Sequence, residues 1–501
     1  MTRTGGRLVA SAVAGALTVL ALSPRGCAWL AWVALVPLFA ALAGATRREA
    51  VGCAVAYTMT FALGGLEPWF ARATSAYFGI ALGWTVVLTA VPLAVLAVAH
   101  GSILGAVLAA RPRPGPWDVV WCGAVWTCWE TLRVFVIPYY PAAFLGLSQH
   151  ATIPVLQLAS LTGVAGVTFV IVAFNVGVAS LLSSASRRRR AAAALTGLAL
   201  AAGTVGWGAL RVARAGDPEP GGPRIVAIDI DAPERSASTL ERYLASSAEP
   251  AATHPALLVW PESALAADVE HDRPTWTALD AFVATHGTAL LAGGPGSARR
   301  DGRGPARFNS AHLLSPGHGM QSYHKRGLVP FAERWPAILG APPADLTSLD
   351  AGEEATVFPL GDSAFGVLIC FEITDAAGAR DLARGGARFI VNITNDAWFA
   401  ASARPPHLPW AAVRAVETGL PVVRAANAGV SGVFDRFGRQ VAFSRPRGGP
   451  AVLAANVPPP APSLYARRGD LFLAACVVAV LAGLASSGGS TPRRTHRRSP
   501  A

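Results

Sequence analysis

Hydrophobic positions are distributed very unevenly along the chain. From the N-terminus to about residue 210 they form near-continuous apolar runs, broken by short clusters of arginine, proline and glycine. Between 215 and 460 the apolar stretches shorten and alternate with alanine-rich helical ones, and one more long run begins near 471. Apolar runs of about 18 or more residues are long enough to cross a bilayer as helices. They predict eight spans, near 7–24, 26–44, 49–66, 78–109, 117–136, 155–183, 191–210 and 470–487. The implied organisation is a seven-span bundle over 1–214, an α/β domain over 215–460, a last span within 461–489 and a basic tail over 490–501.

Composition agrees with a membrane chain: 52% of the 501 residues are hydrophobic and 14% charged, against about 25% charged in ordinary soluble domains. The formal charge of +12 suggests nucleic acid at first sight. The basic residues, however, sit at the ends of apolar runs: Arg47 and Arg48, Arg111 and Arg113, Arg187 to Arg190, and the tail Arg493, Arg494, Arg497 and Arg498. Such clusters fix membrane orientation, and no aromatic residues interleave with them to stack bases, so no nucleic-acid partner is expected. With the N-terminus inside, every cluster falls on the cytoplasmic side and the 215–460 domain falls outside. The first run is read as a retained span, because Ser23-Pro24-Arg25-Gly26-Cys27 lacks a small-residue cleavage site. Glu130 and Arg133 lie within the fifth run, where charges must pair or face a polar cavity. A structural pair and a part in lipid handling are both open there.

Between 222 and 455 the pattern predicts strands at Arg224–Ile228, Ala256–Trp260, Ala289–Ala292, Ala311–Leu314, Phe365–Ile369, Phe389–Ile393, Val422–Ala425 and Val430–Asp435, with a short segment at Gln321–His324. Helices are predicted at Ser238–Ala248, Thr275–Thr285, Ala376–Gly385 and Pro409–Thr418. Gly293-Gly294-Pro295-Gly296 reads as a turn. This is a layered α/β domain, in which ligands gather beyond the carboxyl ends of strands.

Three chemically distinctive residues stand at such ends. Cys370 is the one cysteine of the 215–460 stretch, so it is either an inert core residue or a nucleophile. Lys325 is the one lysine among 42 basic residues, so it is either an accident of composition or the mark of a position that needs a compact ammonium. Glu262 follows the strand ending at Trp260. A thiol, a carboxylate to take its proton and a cation to stabilise an oxyanion meet the needs of nucleophilic acyl transfer.

The words around these residues carry a resemblance. Val259-Trp260-Pro261-Glu262-Ser263, the stretch from Tyr323 to Glu333, and Ile369-Cys370-Phe371-Glu372 resemble the three motifs of the nitrilase superfamily. Asn392-Ile393-Thr394-Asn395-Asp396-Ala397-Trp398-Phe399 is similar to its membrane-bound branch, apolipoprotein N-acyltransferase, and Arg414, Glu417, Arg424 and Asn427 fall at family-like positions. In the membrane part Trp69, Glu130, Arg133, Ser148 and Gln149 are the points of likeness.

The resemblance implies an αββα sandwich on the extracytoplasmic face of an eight-span bundle in the cytoplasmic membrane, acting as a monomer without metal or cofactor. It assigns Glu262 as general base, Lys325 as oxyanion-stabilising cation and Cys370 as nucleophile. Glu333 and Glu372 become supporting carboxylates that position the lysine and the acyl acceptor. The implied partners are a phospholipid acyl donor and a diacylglyceryl-cysteine lipoprotein acceptor.

Several positions depart from the family pattern: Phe371 for a tyrosine, Ala142 for a tryptophan, Leu147 for a tyrosine, Ala165 for an acidic or aromatic residue, and Asp229 for a glutamine. They bear on substrate choice more than on chemistry. A segment over 331–349 together with Trp398-Phe399 has the apolar character of a lid, or of ordinary core aromatics. Two other functions fit parts of the pattern: a membrane-tethered amidase with the same triad, and a non-catalytic membrane scaffold.

Overall fold

The computed structural model describes residues 2–23, 27–112, 114–136, 144–217, 221–231, 237–299, 305–335, 340, 348–398, 407–445 and 449–488. The regular elements among the described residues of the N-terminal part are helices: α1 (Arg3–Ala21), α2 (Val36–Ala41), α3 (Arg47–Phe61), α4 (Glu67–Phe78), α5 (Leu82–Leu108), α6 (Pro116–Val136), α7 (Ile153–Leu156), α8 (Ala159–Thr162), α9 (Val164–Ser180) and α10 (Arg187–Ala215). Helix starts follow local chemistry. The Thr2 side chain accepts from Gly5 N, and Thr46 with Glu49 forms a reciprocal capping box at α3.

Among the described residues, four helical stretches are long and apolar enough to cross a membrane: α1, the continuous Arg47–Ala76 stretch, α5 and α10. A fifth is reached if α7–α8 and α9, bent by 120° at Gly163, count as one span. The other predicted spans take different forms. The run at 26–44 divides into a tight turn at Ala28–Trp32 and the six residues of α2. Asp118, Glu130 and Arg133 interrupt the apolar run of α6.

The 221–456 region folds into two six-stranded sheets. The strands are β1 (Arg224–Asp229), β2 (Leu257–Val259), β3 (Ala289–Ala298), β4 (Ala306–Ser315), β5 (Gly319–His324), β6 (Val357–Leu360), β7 (Ser363–Ile369), β8 (Phe389–Asn395), β9 (Val422–Asn427), β10 (Ser431–Phe434), β11 (Gln440–Ser444) and β12 (Ala451–Asn456). One sheet has the order β12-β1-β2-β3-β4-β5 and the other β11-β10-β9-β8-β7-β6. β1, β2 and β3 run parallel, as do β7, β8 and β9, so their carboxyl ends point one way within each sheet.

Between the sheets lies an apolar core that includes Leu257, Val259, Leu291, Val367, Ile369, Val391 and Ile393. Helices α11 (Ala237–Ala251) and α12 (Arg273–His286) cover the outer face of the first sheet. On the second sheet the covering helices are α13 (Ala376–Arg384) and α14 (Leu408–Thr418), and their apolar core runs unbroken into the helical bundle. Two helices then close the described chain, α15 (Leu464–Arg468) and α16 (Leu471–Gly488).

Every predicted strand and helix of this region is present. Three strands were not anticipated, β6, β11 and β12, which sit at sheet edges where half-polar patterns are normal. One prediction is corrected: Gly293–Gly296 is no turn but the middle of β3, paired from Gly293↔Ala311 to Gly296↔Phe308.

Candidate active site

Glu262 follows β2 at its carboxyl end, and its backbone packs directly on β3. A Cβ on Gly293 would lie 2.6 Å from both Glu262 Cα and Pro261 O, so glycine is required there by close approach. The buried Glu262 carboxylate accepts from Asn309 Nδ2 at 2.7 Å and from Asn395 N at 2.8 Å. The first bond comes from the same sheet and the second from the facing one, so Glu262 spans the sandwich.

Lys325 emerges from β5 and is 1% exposed. Its ammonium donates to both oxygens of Glu333, at 2.9 and 2.8 Å, and stands 3.7 Å from Glu262 Oε1. Asn309 Nδ2 also donates to Glu333 Oε1 at 2.7 Å, bridging the two carboxylates. Burial works against the ammonium, but Glu333 and Glu262 outweigh it and raise the Lys325 pKa. For Glu333, burial likewise opposes ionisation, and the Lys325 charge overrides it and lowers the pKa. Lys325 is therefore a fixed cation.

Cys370 begins a tight turn (Cys370–Thr374) directly after β7, with φ of 52°. A left-handed conformation costs a non-glycine residue about 1–2 kcal/mol, so the surroundings must hold it. Glu372 does so. Its carboxylate accepts from Ile369 N (2.8 Å), Tyr323 OH (2.8 Å), Arg326 N (2.7 Å) and Gly327 N (2.9 Å). These donors lie on both sides of the site, so Glu372 fastens the Lys325 segment to the Cys370 turn. Burial raises its pKa. Burial also pushes the Cys370 thiol up, and Glu262 adds to the rise, while Lys325 and a hydrogen bond from Thr394 pull the other way. The resting group is a thiol, and a base must take its proton for it to attack.

The structure thus gathers all five predicted residues. It adds two partners that the sequence motifs did not mark, Asn309 and His407. Asn309 lies mid-strand in β4 outside any motif word. His407, at the start of α14, is buried with its pKa lowered to about 3 by burial and by the Arg424 and Lys325 charges; its ring lies 6.3 Å from that of Phe371. Arg424 binds Asp396 at 2.9 Å and Asn392 Oδ1 at 2.8 Å, bracing the strand that presents Asn395. Among the described residues no group of His, Cys, Asp and Glu could hold a metal ion.

Of the 331–349 segment, residues 336–339 and 341–347 lie outside the described residues, as do Phe399 and the 140–142 departure. Phe331 is exposed, and its ring meets Trp335 edge-on at 5.8 Å. In the bundle, Glu130 accepts from Trp126 Nε1 (3.1 Å), Leu145 N (3.0 Å) and Thr168 Oγ1 (2.9 Å) and stands 4.0 Å from Arg133. It ties α6 to α9 and to the 145–149 turn. Gln149 holds Ala28 O at 2.9 Å, and Ser148 Oγ donates to Leu145 O at 2.6 Å. The Trp69 ring meets Phe70 edge-on at 4.9 Å.

Residues 14–177 match the family described as the apolipoprotein N-acyltransferase N-terminal domain, and residues 225–460 match carbon-nitrogen hydrolase. An apolipoprotein N-acyltransferase of Geobacter metallireducens is 32% identical, the match covering 94% of each chain. One of Bradyrhizobium diazoefficiens is 31% identical over 99% of this chain and 96% of its own. Among solved structures, an amidase from Nesterenkonia sp. is 19% identical, with a TM-score of 0.39, over 51% of this chain and 97% of its own. With nearly its full length matched to relatives of one kind, and a buried Glu–Lys–Cys site at the strand ends, this chain belongs to the apolipoprotein N-acyltransferase family.

Proposed function

We propose that this protein takes an acyl chain from a phospholipid as a thioester on Cys370 and passes it to the N-terminal amine of a diacylglyceryl-cysteine lipoprotein. One observation carries the chemistry: a buried thiol whose turn is pinned beside a carboxylate and a lysine 3.7 Å apart. In the first half-reaction Glu262 takes the Cys370 proton and Sγ attacks the donor ester carbonyl. Lys325 stabilises the oxyanion. The glycerol oxygen leaves with the proton from Glu262, and a lysophospholipid departs. In the second half the acceptor amine attacks the thioester, its proton passes to Glu262, and the thiolate leaves to be reprotonated. Glu333 holds Lys325 in place and Glu372 holds the turn.

An eight-crossing arrangement accompanies this reading, with both termini cytoplasmic, the 215–460 domain outside and the chain a monomer in the cytoplasmic membrane. Phe331 and Trp335 form the described part of a lid over the acyl chain.

Purified protein incubated with phospholipid and no acceptor should gain the mass of one acyl chain on Cys370. The adduct should vanish in neutral hydroxylamine and be absent in Glu262→Gln. An adduct elsewhere, or none while transfer to a lipoprotein peptide proceeds, overturns the scheme.

A further inference from the structure

Helix α14 is buried along its whole length from Trp410 to Thr418, because it lies between the second sheet and the bundle. Two charged residues point out of it, Arg414 and Glu417, each 1% exposed and paired with one another. Their remaining bonds go in opposite directions. Arg414 donates to Ile373 O at 2.9 Å and to Thr374 O at 3.1 Å, the last two residues of the Cys370 turn. Glu417 accepts from Val164 N at 2.7 Å, the first residue of α9. No side chain caps α9 locally, since its N-cap is Gly163, so Glu417 supplies an acceptor for one of the open N–H groups there.

Val164 marks the 120° break between α7–α8 and α9. The other half of that break is held by Tyr465 of α15: a Cβ on Gly163, whose φ is +69°, would lie 2.7 Å from Tyr465 Cζ. Tyr465 OH in turn donates to Asp470 at 2.7 Å, and Arg380 binds the same carboxylate at 2.8 Å. A buried ion pair is poor at adding stability, because desolvation offsets most of its attraction, and an apolar pair of the same volume would hold α14 to the bundle as well. What an apolar pair could not do is fix three backbone segments in one register by directed hydrogen bonds.

We infer that the Arg414–Glu417 pair is a positioning device that sets the Cys370 turn at a fixed height against the helix break at Gly163. The proposal rests on the reading that Cys370 draws its acyl group from a membrane lipid. A donor held in the bilayer cannot follow a turn that shifts, whereas a small donor in water can diffuse to it. The pair therefore matters for the embedded donor and not for the dissolved one.

The test compares two donors on the full-length protein in nanodiscs: a phospholipid of the disc and a water-soluble short-chain p-nitrophenyl ester, both read as acylation of Cys370. Glu417→Leu removes the pair and the bond to Val164. It should slow acylation from phospholipid at least tenfold, in kcat more than in KM, while the soluble ester stays within twofold of the parent. Glu417→Gln, which keeps an acceptor for Val164 N, should fall between. Gly163→Ala strains the same joint from the Tyr465 side and should shift the ratio in the same direction without touching the ion pair. Equal losses with both donors in all three variants would mean a purely structural role, and unchanged ratios would mean no role; either overturns the inference. Failure of the parent protein to take an acyl group from phospholipid would count against the acyl-transfer reading instead.

Discussion

At the level of single residues, the site is built around one ammonium. Lys325 has two Glu333 oxygens at 2.8 and 2.9 Å and one Glu262 oxygen at 3.7 Å, a convergent arrangement that suits a compact charge. A planar guanidinium needs acceptors spread along its edge. Lys325→Arg is accordingly expected to lose on the order of a hundredfold in Cys370 acylation, nearly as much as Lys325→Ala, as removal of an oxyanion donor generally does. Near-normal turnover of the arginine variant would exclude this role. Asp229 offers a pH test. Burial pushes its pKa to about 6 from 3.8, so its neutral form stabilises the fold fully below about pH 3.8, and that stability is lost as pH rises through about 6. Its Oδ1 accepts from Asp231 N and Ala428 N, and its Oδ2 is buried without a partner among the described residues. Asp229→Asn keeps the Oδ1 bonds and removes the charge. It should melt several degrees higher than the parent at pH 8, for a gain of up to about 3 kcal/mol, and equal it near pH 4; thermal unfolding in detergent at both pH values decides. Glu262, Lys325 and Cys370 were legible because each stands in a motif word at a strand end, and Glu333 and Glu372 because they lie in the same words. Asn309 was not, since a lone asparagine in mid-strand has no local signature, and only the pairing of β4 with β3 brings it between the two carboxylates.

The elements show why a local pattern can mislead. Three glycines and a proline within four residues look like a turn, yet β3 runs straight through them because each glycine admits a neighbour that a side chain would displace. Gly293 is the case that bears on chemistry. Gly293→Ala would press a methyl group into the Glu262 backbone, moving the carboxylate relative to Lys325 and Asn395. Catalysis depends on sub-ångström placement, so acylation of Cys370 should fall more than tenfold while circular dichroism keeps the sheet content. A variant with full activity would show that the Glu262 backbone can give way. The central strands were readable as short apolar runs buried on both faces, whereas β6, β11 and β12 depend on their partners to become strands. The helices of the bundle divide in the same way. α1, α5 and α10 announce themselves by composition alone, whereas the run predicted at 117–136 forms α6 while carrying Asp118, Glu130 and Arg133, whose cost in an apolar setting is met by partners such as Arg111, Leu145 and Thr168.

At the scale of the whole molecule the two ends of the bundle differ in kind. The end that touches the catalytic domain carries Val164, Gln157 and the last turns of α10, bonded to Glu417, Phe437 and neighbouring loops. The opposite end gathers arginines: Arg7 donates to Ala43 O at 3.1 Å, Arg111 binds Asp118 with two bonds of 2.7 Å, and Arg47, Arg48 and Arg187 to Arg190 open α3 and α10. Basic residues are retained on the cytoplasmic side, so this asymmetry supports the proposed orientation. It also yields a parity test of the crossings. Arg48 and Arg188 are exposed, at the starts of α3 and α10. Four crossings between them, by α3, α5, α6 and the bent α7–α9, return the chain to the same side. If α6 or the bent pair fails to cross, Arg48 and Arg188 fall on opposite sides. Glu354, exposed in the catalytic domain, lies one further crossing away through α10. Intact spheroplasts treated with a membrane-impermeant maleimide should therefore label Glu354→Cys at once, and label Arg48→Cys and Arg188→Cys only after permeabilisation, with the parent protein as the background. Labelling of Arg48→Cys and Arg188→Cys from opposite sides would break the eight-crossing arrangement, because it requires an odd number of spans between them. Labelling of Glu354→Cys only after permeabilisation would put the thiol on the cytoplasmic side of the membrane.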